Sequence, residues 1–321
     1  MQVGNNNNAQ TLQTNDSANK NKSFTGQFGN GSTSEVGQAG GNNNQTTLQF
    51  GAGKDSGNIA VTGQLTGVNG GQNDSKTIQA GAGNLAINSQ DSEGVAGKKA
   101  GQGGDNKQFS LQFGRDNTAL TDQSSIGSGT TKKTDLSGVT NDSATIQVGR
   151  DNFASTKQRG VNTGDTANQA TNASLTAQFG QDNTALTKQV NGNNLQGTVQ
   201  VGSDNFASTR QKNNDVASGV NASLALQVGE GNTAIVRQKI ADPLNTGTNG
   251  SLIAQFGKNN TALARQNDTG IQPMIGANLQ ATVQAGNGNS AITTQTASAT
   301  VSNTSVTAQF GSHNTAIVAQ H

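Results

Sequence analysis

The sequence predicts an all-β chain folded as a parallel, in-register β-solenoid, with strand–turn–strand rungs of cross-β type. Three observations predict it. A polar unit recurs from one end of the chain to the other, its fixed residues fall at even intervals on either side of a Gly, and the composition does not suit an ordinary globular core.

The 321 residues include 43 Gly and ten Phe but no Trp or Tyr, and only 30% are hydrophobic, a low fraction for a compact apolar interior. Twenty Lys and Arg against 19 Asp and Glu leave a net charge of +1, so bulk charge points to neither nucleic acid nor membrane. Disordered chains usually carry high net charge and much Pro; this chain has two Pro, Pro243 and Pro273. Abundant Asn and Gln in a nearly neutral chain suit polar β-assemblies. The absence of Cys excludes disulfide and thiolate chemistry,. No run approaches the roughly 20 apolar residues of a membrane span. The opening "MQVGNNNN" lacks the basic, apolar and small-residue order of a signal peptide,; if the protein is exported, the expected reading is the mature form behind an added Met.

The unit is N-x5-Q-x-G-x-x-N-x-A-x-x-x-Q, as in "NASLTAQFGQDNTALTKQ". Its Gly recurs twelve times between Gly4 and Gly311, at spacings of 22 to 35 residues. The predicted rungs are residues 1–13 as a half rung, then 21–38, 43–64, 73–90, 106–123, 141–158, 172–189, 194–211, 221–238, 249–266, 278–295 and 303–320. Two early copies depart: Ser32 and Ser34 replace Asn and Ala, and four extra residues enter the turn before Asn58.

Spacing assigns each element in turn. In the first segment, Asn to Gln spans six residues, and the fixed positions share one parity, the period of a strand. Gly-x-x-Asn follows, with the chemistry of a tight turn: Gly for positive φ, Asn or Asp for local backbone bonding. From that Asn to the closing Gln is again six residues, a second strand. The joining segments, from 4 residues (39–42, 190–193) to 17 (124–140), are rich in Gly, Asn, Ser and Thr and are expected to be loops, because loop closure grows costlier only slowly with length.

One such unit cannot bury a face or satisfy its edges. Stacked copies can, with each fixed residue about 4.8 Å above its own kind. The expected amide ladders are Asn172, Asn194, Asn221 and Asn249; Gln178, Gln200, Gln227 and Gln255; Asn183, Asn205, Asn232 and Asn260; and Gln189, Gln211, Gln238 and Gln266. Gly180, Gly202, Gly229 and Gly257 make the turns, and the ends of the stack are Gly4, Asn7 and Gln13 on one side and Gln309, Gly311, Asn314 and Gln320 on the other. Twelve rungs would span roughly 57 Å.

At these residues the chain resembles the curlin repeat of the curli major subunit, a secreted bacterial functional amyloid with the pattern S-x5-Q-x-G-x-G-N-x-A-x-x-x-Q. The likeness runs from Gln2 to Gln320. It implies a solenoid that polymerises into an amyloid fibre, an extracellular, cell-surface role in biofilm matrix and adhesion, and partners in a secretion channel and a nucleating subunit. Asn stands where that family has Ser, the units are more numerous, and many connections are longer. The alternatives are a monomeric solenoid that binds ice or polysaccharide, or a Fap-type amyloid subunit, whose few repeats and terminal Cys pair do not match.

Charge sets the expected facing. Lys157, Lys188, Arg210, Arg237 and Arg265 stand at one offset in five consecutive rungs, on the parity opposite to Asn, Ala and Gln. Stacked charges must face water, so the amides face inward. The first strand then turns an apolar parity outward, with Leu175, Ala177 and Phe179 in one rung and Leu252, Ala254 and Phe256 in another; the alternative is the reverse parity, with these residues forming the interior. Over twelve rungs the patch is roughly 850 Å², more than monomers usually expose, and a second solenoid or the long connections are expected to cover it.

Little supports catalysis, and no cofactor is expected. The two histidines, His313 and His321, offer no base for activating Ser or Thr as a nucleophile. Asp116, Asp151, Asp182 and Asp204 share one turn offset, a candidate Ca²⁺ column, although turn propensity alone accounts for it. The Lys and Arg column is a candidate contact for matrix polyanions, or a solubilising face that prevents wrong pairing. The expected function is that of a non-enzymatic structural subunit whose main partner is itself, without membrane insertion.

Overall fold

The computed structural model describes residues 1–15, 20–51, 57–67, 70–94, 104–127, 140–162, 171–213, 219–241, 247–269, 276–298 and 301–321. These residues form strands and turns and no helix. The chain divides into two compact units, Met1–Ala167 and Asn168–His321. Unit 1 holds β1 (Gln2–Val3), β2 (Asn8–Thr14), β3 (Lys22–Phe28), β4 (Thr33–Ala39), β5 (Asn43–Gly51), β6 (Ile59–Thr66), β7 (Asn73–Ala82), β8 (Leu85–Glu93), β9 (Asn106–Arg115), β10 (Thr118–Gly127), β11 (Thr140–Arg150) and β12 (Phe153–Asn162). Unit 2 holds β13 (Thr171–Gln181), β14 (Thr184–Val190), β15 (Asn193–Ser203), β16 (Phe206–Asn213), β17 (Val220–Glu230), β18 (Thr233–Ile240), β19 (Thr248–Lys258), β20 (Thr261–Asp268), β21 (Ala277–Asn287), β22 (Ser290–Ala297), β23 (Ser302–Ser312) and β24 (Thr315–Gln320).

Within each unit the odd-numbered strands form one parallel sheet in chain order, and the even-numbered strands form a second. Each repeat therefore lays one strand in each sheet, and each unit is a two-sheet parallel β-solenoid. Like pairs with like. In unit 2 Asn194 stands opposite Asn221, Gln200 opposite Gln227 and Gly202 opposite Gly229. In unit 1 Asn106 meets Asn141 and Gln112 meets Gln147.

The turn shows why this register needs Gly. Gly202 has φ +118°, a conformation that L side chains rarely adopt. A Cβ there would also lie 2.0 Å from the carbonyl oxygen of Gly229 in the next rung. Two residues on, the chain takes a second left-handed residue: Asp116, Asp151, Asp182 and Asp204 have φ between 54° and 56°, and Asn259 and His313 have 53° and 57°. Asp, Asn, His and Gly are the residues that tolerate this region.

Two expectations need correction. The 17-residue segment 124–140 is not all loop, because β10 continues through Gly127 and β11 begins at Thr140. Ser124, Ser125, Ile126 and Gly127 pair with Arg159, Gly160, Val161 and Asn162, so a loop composition becomes strand where a neighbouring rung offers a ladder. The rest of that segment, residues 128–139, lies outside the described residues. The half rung at the start is also more than one strand: Gln2 and Val3 pair with Gln27 and Phe28.

The interior is mostly polar. Asn, Gln and small residues face inward, with Ala207, Ala234 and Ala262 each 1% exposed, and these small side chains let the sheets approach closely. Unit 2 contains an apolar core cluster in which Ala225 and Val236 lie near Ile253 and Ala264; the larger residue comes from the even sheet in one rung and from the odd sheet in the next.

Outward on the odd sheet, Leu175 is 44% and Phe179 39% exposed. Ala177, between them, is buried. In unit 1 the rings of Phe28 and Phe50, which are register partners, stack at 5.3 Å between centroids. The long connections expected to cover this face fall largely outside the described residues.

Candidate assembly interface

Four amide ladders follow from this register, two on each side of the interior. Beside the turn, Gln200 and Asn205 project inward; beside the connection, Asn194 and Gln211 do so. All four are buried.

The Gln ladders share one sense. In unit 2 the Nε2 of Gln178 donates to Oε1 of Gln200 at 2.8 Å, Gln200 to Gln227 at 2.9 Å, and Gln227 to Gln255 at 2.9 Å. Gln255 donates to Gln284 and Gln284 to Gln309, both at 2.8 Å. The second Gln ladder runs likewise through Gln189, Gln211, Gln238 and Gln266 to Gln295 and Gln320, with contacts of 2.8–3.0 Å. In unit 1 the two ladders start at Gln2, which donates to Gln27 at 2.6 Å, and at Gln13, which donates to Gln38 at 2.5 Å.

The Asn ladders run the other way. Nδ2 of Asn194 donates to Oδ1 of Asn172, Asn221 to Asn194, and Asn249 to Asn221, at 2.7–2.9 Å. Beside the turn Asn205 donates to Asn183, Asn232 to Asn205, and Asn260 to Asn232, each at 3.0 Å. The series closes with Asn289 to Asn260 and Asn314 to Asn289.

Amides in a low-dielectric interior need every polar atom paired, and the geometry supplies the partners. Nε2 of Gln200 also reaches the carbonyls of Thr184 and Asn205, at 3.0 and 2.9 Å. Gln211 reaches those of Leu195 and Asn221, so each Gln ties its own sheet to the backbone of the other. Oδ1 of Asn183 accepts from the backbone N–H of Asn205 at 3.2 Å, and Nδ2 of Asn205 donates to the carbonyl of Gly229 at 2.9 Å. The fixed Asn thus holds the stacked turns together.

Where the unit departs from its pattern, a ladder breaks. Ser32 takes the turn Asn position, its N–H donates to Oδ1 of Asn7 at 3.1 Å, and its buried hydroxyl has no partner.

The terminal rungs end the ladders in complementary ways. On β23 and β24, Gln309 and Gln320 accept from the rung below, while their Nε2 groups donate only to the carbonyls of Ser290 and Thr304 among the described residues. Oδ1 of Asn314 accepts no hydrogen bond there. Among the described residues, Oε1 of Gln2 and of Gln13 on the first rung accept no hydrogen bond, and Asn7 donates only to backbone carbonyls. Gly4 and Gly311, with φ +117° and +98°, keep the turn conformation of the inner rungs. One edge therefore presents Gln donors and an Asn acceptor; the other presents Gln acceptors and an Asn donor.

The other candidates take different roles. Asp116, Asp151, Asp182 and Asp204 are exposed left-handed turn residues, and among the described residues no group of three His, Asp or Glu gathers to hold a metal. The turn role matches the turn propensity read from the sequence; the left-handed conformation is the addition, and Gly31, Gly83, Gly231 and Gly288 occupy the same column, all with positive φ. The Lys and Arg column is exposed throughout, and in unit 1 Lys157 meets Asp122 at 2.6 Å.

No family model matches the chain, and no curated protein matches it in sequence.

Proposed function

We propose that the protein is a non-enzymatic structural subunit of a curli-like extracellular fibre, which assembles by stacking the last rung of one molecule on the first rung of the next. The observation that carries this reading is the opposed sense of the Gln and Asn ladders. Because Gln donates toward the C-terminal rungs and Asn toward the N-terminal ones, Gln309 and Gln320 of one copy fit Gln2 and Gln13 of another, and Asn314 accepts from Asn7. Joining two like edges would set donor against donor. The ladders therefore favour polar, head-to-tail growth, and open parallel edges supply backbone pairing as well.

The resemblance to curlin repeats supports an exported protein that builds biofilm matrix and mediates adhesion, delivered by a secretion channel and started by a nucleating subunit. Assembly is tested by incubating the purified chain, imaging it by electron microscopy and measuring particle mass. Filaments with a meridional repeat near 4.8 Å are expected. Gln13→Lys and Gln320→Lys, each placing an ammonium in the junction, should slow growth strongly because a buried unpaired charge is costly. A wild-type chain that persists as single-chain particles, even when seeded, sinks this reading.

A further inference from the structure

Unit 2 carries an unmixed cationic strip on the outer face of its even sheet. Lys188, Arg210, Arg237 and Arg265 stand in register on β14, β16, β18 and β20. Two residues further along, Lys212 and Lys239 form a second register pair on β16 and β18. None of the ion pairs among the described residues involves these six side chains. The adjacent outward column, Leu186, Ser208, Ile235 and Leu263, carries no carboxylate.

Unit 1 treats the same two columns differently. There Lys157 is paired with Asp122, and Asp91 stands in the other column, in register with Ser124. Like charges on neighbouring strands at about 4.8 Å are destabilising. A face needed only for solubility would be better served by the mixed columns of unit 1.

The strip also has shape. A groove of about 420 Å³ is lined by Arg210, Lys212, Arg237, Lys239 and Arg265, within the size range of ligand pockets. Its other outward lining side chains are Asn267, Thr294 and Thr296; those of Gln238, Gln266 and Gln295 turn into the buried ladder.

We propose that this groove binds a linear acidic polysaccharide, a polyuronate, lying along the stacking direction. Such a chain is extended and carries one carboxylate per sugar, so carboxylates recur on the side facing the strip at intervals of a few rungs and meet cations that recur at every rung. The polar side chains of Asn267, Thr294 and Thr296 suit the hydroxyls of the sugar rings. Nucleic acid fits less well. The lining has no aromatic side chain to stack on unpaired bases, and duplex phosphates wind away from a straight strip within a few rungs. The strip lies on a lateral face, so binding does not depend on end-to-end assembly.

The test uses the full chain, freshly purified and unassembled, titrated with size-fractionated polygalacturonate and separately with duplex DNA at several salt concentrations. Polyuronate affinity should fall as salt rises. The triple variant Arg237→Gln, Lys239→Gln, Arg265→Gln should bind about ten-fold more weakly. A charge-matched control in unit 1, Lys20→Gln, Lys22→Gln, Lys107→Gln, should change affinity less than about two-fold. Circular dichroism reports whether each variant keeps its sheet; should the triple variant lose it, Arg237→Gln alone is expected to weaken binding about two-fold. Three results would overturn the proposal: no loss in the strip variants, equal loss in the control, or tighter binding of DNA through the same residues.

Discussion

Gln255 and Gln284 stand one above the other in the buried interior of unit 2, with Nε2 of the first donating to Oε1 of the second at 2.8 Å. Gln227 donates to Gln255 in the same way at 2.9 Å, so one substitution breaks two rungs of the ladder. Gln255→Met keeps the length of the side chain and removes its polarity. It leaves Oε1 of Gln284 without its donor, at a cost of about 1–3 kcal/mol for the unsatisfied group, while Nε2 of Gln227 keeps the carbonyls of Phe206 and Asn232. Chemical denaturation should report a loss of stability in this range; a change under about 0.5 kcal/mol would show that the ladders contribute packing and little else.

The glycines separate two kinds of position. Gly257 has φ +107°, and a Cβ there would lie 2.2 Å from the carbonyl oxygen of Gly286. Gly37 and Gly63 have open space where a Cβ would stand. Gly257→Ala should destabilise by more than about 1 kcal/mol, while Gly37→Ala and Gly63→Ala should be neutral or stabilise by about 0.4–1 kcal/mol. Thermal midpoints of the three variants check the contrast, and equal effects would refute it.

Asp182 and Asp204 are turn residues in the left-handed region, with φ 54° and 55°. Asn or Gly should replace either with little change in stability, whereas a β-branched residue should cost about 1–2 kcal/mol. Were the carboxylates holding Ca²⁺, Asp182→Asn would lower stability in a calcium-dependent way; melting with and without chelator distinguishes the two.

Two carboxyl groups give the pH dependence its sign. Burial raises the pKa of Asp91 above its ordinary value, and Glu93 and Asp122 raise it further. Burial likewise raises Asp142, with Lys107 acting against it and Asp105 with it. A raised folded-state pKa means that the folded chain holds the proton longer than the unfolded one, so these groups reduce stability as pH rises through the folded values. Their contribution to the melting temperature should therefore increase as pH is lowered from about 7 toward about 4. Asp91→Asn and Asp142→Asn should raise the midpoint near neutral pH and flatten this dependence. Unchanged curves in both variants would contradict the assignment.

Much of the architecture was legible in the repeat because a solenoid imposes the same environment at every level. Even spacing from Asn172 to Gln178 specified a strand, and the column from Lys188 to Arg265 specified the solvent side of the second strand. The extension of β10 to Gly127 was not legible, since Ser124 to Gly127 resemble any polar connection until Arg159 to Asn162 lie beside them. The left-handed role of the Asp column was visible only by reading Asp182 against Gly231 and Gly288.

By itself the sequence determined the unit, its parity and which residues would lie above their own kind, because period and residue type are local properties of the chain. Tertiary structure decided the sense of each ladder. An amide can donate upward or downward equally well in isolation. The inward reach of Gln200 to the carbonyl of Thr184, and of Asn205 to that of Gly229, orients each group, and neighbouring rungs repeat that choice.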